Sequence, residues 1–212
     1  MTIYAGNYIE VLKTFHEILG VSIAIVEKRN VDSKIVDYCT ANGVRLFLAE
    51  SPDHLDSYLS ELSEKIKICI LASFGLLLKN SFIQKTEWTV NIHPGDLKTC
   101  RGRHPLPFAI VKGLPLMTLT AHLIKDEKID NGPVLAELSL PIDYSKSFSF
   151  NDEKLRENLP YITNLILSQL KENGSLHAAT VNLQHAPYNK RLDAETLHEI
   201  MSVKNLLKYR PL

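Results

Sequence analysis

The stretch Ile66-Lys67-Ile68-Cys69-Ile70-Leu71-Ala72 decides the fold. It is too short for an ordinary helix, rich in isoleucine and apolar at every position but one, so it reads as a strand covered on both faces. Val21–Val26 (VSIAIV) has the same character, and Val44–Leu48 and Thr2–Ala5 are shorter versions of it. Helical spacing fills the gaps. Ile9, Leu12, Phe15, His16 and Leu19 recur at three and four residues and stop at Gly20. Ser33–Asn42 ends at Gly43, and Ser51-Pro52-Asp53 opens a helix that the pattern carries to about Lys65.

Strand–helix–strand units joined by short links predict an α/β fold with a doubly wound, mostly parallel, Rossmann-like sheet. In such sheets ligands lie beyond the carboxyl ends of the strands. That rule singles out Gly6-Asn7, Ala72–Gly75 and whatever follows the strand Trp88–Ile92. After residue 113 the pattern changes. Leu116–Leu123 and Val134–Leu140, separated by the polar stretch Lys125–Gly132, predict an antiparallel hairpin added to one sheet edge. Asn151–Asn173 predicts a long amphipathic helix kinked at Pro160, and a last helical pattern runs from Ala194 to about Lys208. The expected organisation is a domain over residues 1–173 and a C-terminal extension over 174–212, serving dimerisation or covering the acceptor site.

Lys and Arg together number 24, as do Asp and Glu, so the chain lacks the basic surplus of a broad nucleic-acid or lipid grip. Three scattered cysteines, Cys39, Cys69 and Cys100, form neither a disulfide framework nor a metal spacing, which fits a reducing cytoplasm. Cys69 reads as a core residue; Cys100 lies in a polar loop, where a reactive thiol is the minor reading. No apolar run is long enough to span a membrane, and no leader pattern opens the chain.

Asn91 and His93 close the strand that ends in Asn-Ile-His-Pro. Residues two apart share a strand face, so an amide donor and an imidazole flank one spot, a pairing suited to acyl transfer onto an amine. Alone, Asn-x-His-Pro reads first as a capped turn leaving the strand. Asp130-Asn131-Gly132 reads as a turn, or as a carboxylate that reaches His93, orients it and favours its protonated form. Thr120 and His122 share a face of the preceding strand.

NIHPGDLKTCRGRHPLPFAIVKG, followed by TLTAHLIKDEKIDNGPVLAELSLPI, resembles the formyltransferases that use 10-formyltetrahydrofolate. The resemblance is carried by Asn91, His93 and Pro94, by Arg101-Gly102 and Pro105, by Thr120 and His122, and by Asp130 and Gly132. It extends over roughly residues 66–142, and over 2–65 by topology alone. It implies that the donor's formyl carbon sits among Asn91, His93 and Asp130, with Asn91 and a protonated His93 stabilising the oxyanion. Asp130 would orient His93 and help deprotonate the attacking amine. It further implies that Leu76, Leu77, Leu78 and Ile129 wall the pterin, that backbone groups of Phe74, Gly75 and Lys128 read its edge, that His122 contributes to the donor site, and that no metal is needed.

Three departures bear on the acceptor. Gly95-Asp96-Leu97-Lys98-Thr99 replaces the family's Ser-Leu-Leu-Pro stretch, and the link from His122 to Asp130 is one residue longer than the common form. The first strand ends in a bare Gly6-Asn7 turn, without the glycine-rich loop that holds phosphate in the glycinamide ribonucleotide enzymes. The chain also ends before the tRNA-binding barrel of the methionyl-tRNA enzymes. Lys98, Arg101, Arg103 and His104, with Lys112, form a basic cluster that reads equally as a solvated loop or as a site for a diphosphate, Gly6 and Asn7 adding contacts from the first strand. The expectation is therefore formyl transfer to a small-molecule amine, an amino-sugar nucleotide above others. A ribonucleotide amine or aminoacyl acceptor, and a silent folate-binding protein, stand as alternatives.

Overall fold

A computed structural model describes residues 1–211. In chain order the elements are β1 (Thr2–Gly6), α1 (Ile9–Leu19), β2 (Ile23–Glu27), α2 (Ser33–Asn42), β3 (Arg45–Ala49), α3 (Pro52–Ser60), β4 (Ile66–Ala72), α4 (Asn80–Lys85) and β5 (Thr86–His93). Then come β6 (Arg101–Gly102), α5 (Pro105–Val111), β7 (Leu116–Leu123), β8 (Val134–Pro141), α6 (Phe148–Arg156), α7 (Leu159–Asn173), β9 (Tyr188–Asn189) and α8 (Ala194–Ser202). The main sheet has seven strands in the order β3-β2-β1-β4-β5-β7-β8. Strands β1 to β5 pair in parallel, while β7 and β8 run antiparallel, as the hairpin pattern requires.

Strand β4 matches its predicted span, and its alternation explains its place at the centre. Ile68, Ile70 and Ala72 enter the core beneath α1, α2, α5, α7 and α8, while Ile66, Cys69 and Leu71 enter the opposite core beneath α3 and α4. The strand order reverses between β1 and β4, and the turns after both meet there. Asn7 donates its N–H to the Ala72 carbonyl at 3.1 Å. Gly6, at φ 150°, fits because a Cβ there would lie 1.8 Å from the Ala72 oxygen.

Three elements differ from expectation. The run Asn151–Asn173 is two helices rather than one kinked helix. Helix α6 ends at Arg156, the Asn158 amide donates to the Lys154 carbonyl at 2.8 Å, and Pro160 sits in the first turn of α7, where its missing N–H breaks no bond. Helix α3 stops at Ser60 rather than near Lys65, because Ser63-Glu64-Lys65 offers no further apolar face. The pattern from Ala194 to Lys208 divides into α8 and a separate 3-10 turn at Leu207–Tyr209. Helices α4 and α5 lie in stretches for which the sequence pattern predicts no element.

Residues beyond 173 pack on the rest of the chain: Leu176, Ile200 and Leu206 enter the same core as α1 and α7. Among the described residues no helix is long and apolar enough to cross a membrane.

Candidate active site

Asn91 and His93 end β5, a strand buried by β4 on one side and β7 on the other. The antiparallel register sets Asn91 opposite His122 and His93 opposite Thr120. Two pairs of side chains are thereby gathered from stretches about 30 residues apart. The Thr120 hydroxyl donates to the Gly95 carbonyl at 2.8 Å, anchoring the loop that follows β5.

The loop between β7 and β8 folds back over this face. Leu123 donates to the Pro133 carbonyl at 2.8 Å, and a bulge shifts the register between Ala121 and His122. Gly132 lies so close to β7 that a Cβ would stand 1.5 Å from the Leu123 oxygen. Asp130 adopts φ 48°, a left-handed conformation open to Asp, and this absorbs the longer link.

The Asp130 carboxylate, 8% exposed, is the hub. Asn91 Nδ2 donates to Oδ1 at 3.0 Å and the Gly102 N–H donates to Oδ2 at 3.0 Å. His122 Nε2 lies 3.4 Å from Oδ1 and His93 Nδ1 lies 3.5 Å from Oδ2. Burial pushes its pKa up. The proximity of His122 and His93, whose rings favour a negative neighbour when protonated, and the Gly102 N–H outweigh burial and hold it below the ordinary carboxylate value.

His93 departs from expectation in its charge. Burial, the largest influence, lowers its pKa below the usual 6.5, and the neighbouring Asp130 raises it without reversing the sign. The shift favours the neutral imidazole, in which Nε2–H donates to the Cys100 carbonyl at 3.0 Å and the Nδ1 lone pair faces Asp130. His122 donates Nδ1–H to the Leu123 carbonyl at 3.2 Å and accepts from Asn91 Nδ2 at 3.2 Å.

A crevice of about 90 Å³ opens over these groups. Its walls include Phe74, Leu76, Leu77, Leu78, Lys128 and Ile129, with Asn91, His122 and Asp130 also lining it. Gly75 lies outside that lining, where its N–H donates to Glu27. A larger cavity, about 270 Å³, lies between the 94–100 loop, α5 and the β7–β8 face; Asn91, His93 and Asp130 do not line it.

The basic cluster divides. Lys98 and Arg103 are exposed. His104, in the left-handed region at φ 53°, is held below its ordinary pKa by burial and by the charges of Arg191 and Arg103, and its Nδ1 is buried without a partner. Arg101 is engaged by the protein: Nη1 donates to Asn131 Oδ1 at 3.0 Å and Nη2 to the Ala186 carbonyl at 3.3 Å. Asn7 carries a buried Oδ1 with no partner, beside a first turn of α1 that holds Glu10. Cys100, whose thiol was a minor reactive candidate, is 2% exposed and burial raises its pKa, so it packs as an apolar residue.

Sequence reasoning missed two members of the site. Gly95 packs so tightly that a Cβ would meet Pro105 Cβ at 2.5 Å, His93 Nε2 at 2.8 Å and the Cys100 oxygen at 2.9 Å. Gly102, noted only as part of a motif, supplies a backbone donor to Asp130. A glycine in the family's serine position signalled the first, and the Arg101-Gly102 motif marked the second without indicating its backbone role.

A doubly wound sheet extended by an antiparallel hairpin thus brings an amide, an imidazole and a carboxylate together at the end of β5. The formyl transferase family model matches residues 23–161, more than half of the chain, and the chain belongs to that family. It is 30% identical over 131 residues to the mitochondrial methionyl-tRNA formyltransferase of Bos taurus, a match covering 59% of this chain and 33% of that protein. The matched region spans between about a third and a half of the first curated relatives. Among solved structures, the Helicobacter canadensis N-formyltransferase bound to folinic acid and dTDP-3-aminofucose superposes with a TM-score of 0.70 at 18% identity, over 90% of this chain and 70% of that one. Phosphoribosylglycinamide formyltransferase of Bacillus halodurans gives a TM-score of 0.70 at 19% identity, over 81% and 95%. At such identities the likeness is one of fold.

Proposed function

We propose that the chain transfers a formyl group from 10-formyltetrahydrofolate to a primary amine, and that the amine belongs to an amino-sugar nucleotide. The observation that carries this reading is the meeting of Asn91, His93 and Asp130 at the end of β5, with Asn91 and Asp130 lining a crevice walled by Leu76, Leu77 and Leu78 and His93 buried behind them. The leucine-rich wall and ionised floor suit a flat heterocycle whose reactive end must reach a proton acceptor.

The donor, when bound, supplies an activated formyl carbon. Asn91 offers an amide N–H to an oxygen gaining negative charge; both of its hydrogens are engaged in the free protein, so one bond is exchanged. His93 and Asp130 together take up one proton. The lone pair of Nδ1 and the Asp130 carboxylate face each other, an arrangement that improves when a proton enters between them. That proton comes from the attacking amine, which must be neutral, so the rate rises with pH until the acceptor is deprotonated. His93 thus receives a proton in this reading, in place of the protonated donor suggested by the resemblance.

The acceptor class rests on charge. The balance of 24 basic and 24 acidic residues gives no broad field for tRNA. A phosphate at the start of α1 would meet Glu10, which Arg156 pairs at 3.4 Å, and also Asp152, whose pKa is raised chiefly by burial. Lys98, Arg103 and His104 are the remaining groups for a diphosphate, while Gly6 and Asn7 present polar atoms to the sugar. A second reading, an aminoacyl acceptor, is favoured by the sequence match to methionyl-tRNA formyltransferases. We place the reaction in the cytoplasm, without a metal. The test is tetrahydrofolate release from 10-formyltetrahydrofolate with nucleotide-linked amino sugars, glycinamide ribonucleotide and methionyl-tRNA. Release with the amino sugars is expected. Release with methionyl-tRNA alone would overturn the acceptor class, and folate binding without release to any amine would favour a silent family member.

A further inference from the structure

The Gly102 N–H that holds Asp130 Oδ2 belongs to β6, a strand of two residues. Such a strand has too few bonds to fix its own orientation. Its partner in the sheet is β9, a further 86 residues along, with Arg101 opposite Tyr188 and Gly102 opposite Asn189. Arg103 donates its N–H to the Asn189 carbonyl at 3.0 Å. Gly102, at φ 98°, leaves no room for a side chain: a Cβ would lie 2.3 Å from the Asn189 oxygen.

Other ties join the same segments. The Asn189 amide, 8% exposed, donates to the Thr99 carbonyl at 3.3 Å and accepts from Lys112 Nζ at 3.1 Å. Lys112 also donates to the Thr99 carbonyl at 2.6 Å. Arg101 bridges the Ala186 carbonyl to Asn131, the neighbour of Asp130. Leu97, Val134 and Leu183 form a small core of their own, with Val181 and Ala186 packed on it. Every stretch that touches Asp130 from the 95–102 side is thus pinned to residues 181–189.

We propose that the 181–189 segment is a positioning element for Asp130 and that Asn189 is its key residue: its carbonyl holds the Arg103 N–H and its side-chain amide holds the Thr99 carbonyl, so the chain is fixed on both sides of Gly102 and the Gly102 N–H is aimed at the carboxylate. This rests on the reading of Asp130 as the catalytic carboxylate. A backbone donor cannot be re-aimed by rotating a side chain, so its direction depends on what lies behind the peptide. Here that support is Asn189, through its carbonyl on the Arg103 N–H and through its side chain on the Thr99 carbonyl and Lys112. Loosening it moves the carboxylate relative to His93, and small displacements of a reacting group are costly in rate.

The test uses the full chain carrying Asn189→Ala. The Gly102 amide is followed by NMR as a function of pH, beside the release of tetrahydrofolate with the fastest amine found, or with water if no amine reacts. In the native protein the Gly102 proton shift should follow the titration of Asp130. In Asn189→Ala, which loses the ties to Thr99 and Lys112 but keeps the backbone pairing, that dependence should weaken and kcat should fall about tenfold or more, with the donor KM within about twofold. Asn189→Asp keeps the partner of Lys112 and should fall between; it also serves if the alanine variant does not fold. A folded variant with an unaltered Gly102 shift overturns the proposal, whatever its rate. Asp130→Asn separates the two readings. If it turns over normally while Asn189→Ala still displaces the Gly102 signal, the catalytic role of Asp130 fails and the mechanical link stands.

Discussion

Asn91 Nδ2 donates to Asp130 Oδ1 across 3.0 Å, joining residues 39 positions apart. Hydrogen-bond donor and proton acceptor are tied together before any ligand arrives. Asp130→Asn replaces a fourfold acceptor by a group that also donates, so it opposes Asn91 and the Gly102 N–H at once. In the assay above, kcat should fall about a hundredfold or more, with little change in donor affinity. A loss confined to donor affinity would contradict the role given to Asp130.

His93→Gln keeps a donor for the Cys100 carbonyl while removing the ring nitrogen that faces Asp130. Transfer should be lost with the circular dichroism spectrum unchanged. Normal turnover would dismiss His93 from the chemistry.

Stability should depend on pH in a defined window. The folded-state pKa of His93 lies below 6.5 and that of Asp130 below 3.8, so in both cases the unfolded chain binds more protons as pH falls. Stability is therefore full above about pH 6.5, declines as pH drops towards the folded pKa of His93, and declines again below about pH 3.8. Thermal midpoints measured from about pH 7 to about pH 5 should fall in the native protein and fall less in His93→Gln. Equal slopes would mean that His93 is not buried in its neutral form.

Gly95→Ala adds one methyl group against His93 Nε2, Pro105 Cβ and the Cys100 oxygen. Because two of the three neighbours are rigid, the substitution should destabilise the fold by about 1–3 kcal/mol and lower kcat. A crystal structure of the variant should show the imidazole displaced; an undisturbed ring with normal turnover would refute the packing constraint.

Arg101→Ala and Arg103→Ala should part company. Arg101 is engaged by Asn131 and Ala186, so its loss should reduce stability by about 1–2 kcal/mol and lower kcat. Arg103 is exposed, and its loss should raise the KM of a diphosphate acceptor at unchanged stability. A rise in acceptor KM for Arg101→Ala alone would restore Arg101 to the acceptor site.

The central strands were legible because a buried parallel strand must be apolar on both faces, and Ile66–Ala72 has that composition without ambiguity. The hairpin and the end of β5 followed from alternation and from an ordered set of motifs. The charge of His93 was not legible: a neighbouring carboxylate and deep burial pull in opposite directions, and only coordinates say which is larger. Nor was the role of Arg101, since the same side chain serves a solvated phosphate or a buried carbonyl. The pairing of β6 with β9 was invisible for another reason. Two-residue strands have no periodicity to detect, and their partners lie far apart in the chain.

The register between β5 and β7 carries a consequence of its own. Asn91 stands opposite His122, and His93 opposite Thr120. A slip of one residue along β5 would turn Asn91 and His93 onto the other face and bring Ile92 forward, and the same slip along β7 would remove Thr120 and His122 and bring Ala121 forward. Each strand therefore gives or withdraws its two polar groups together, and a shifted sheet lacks at least half of the centre.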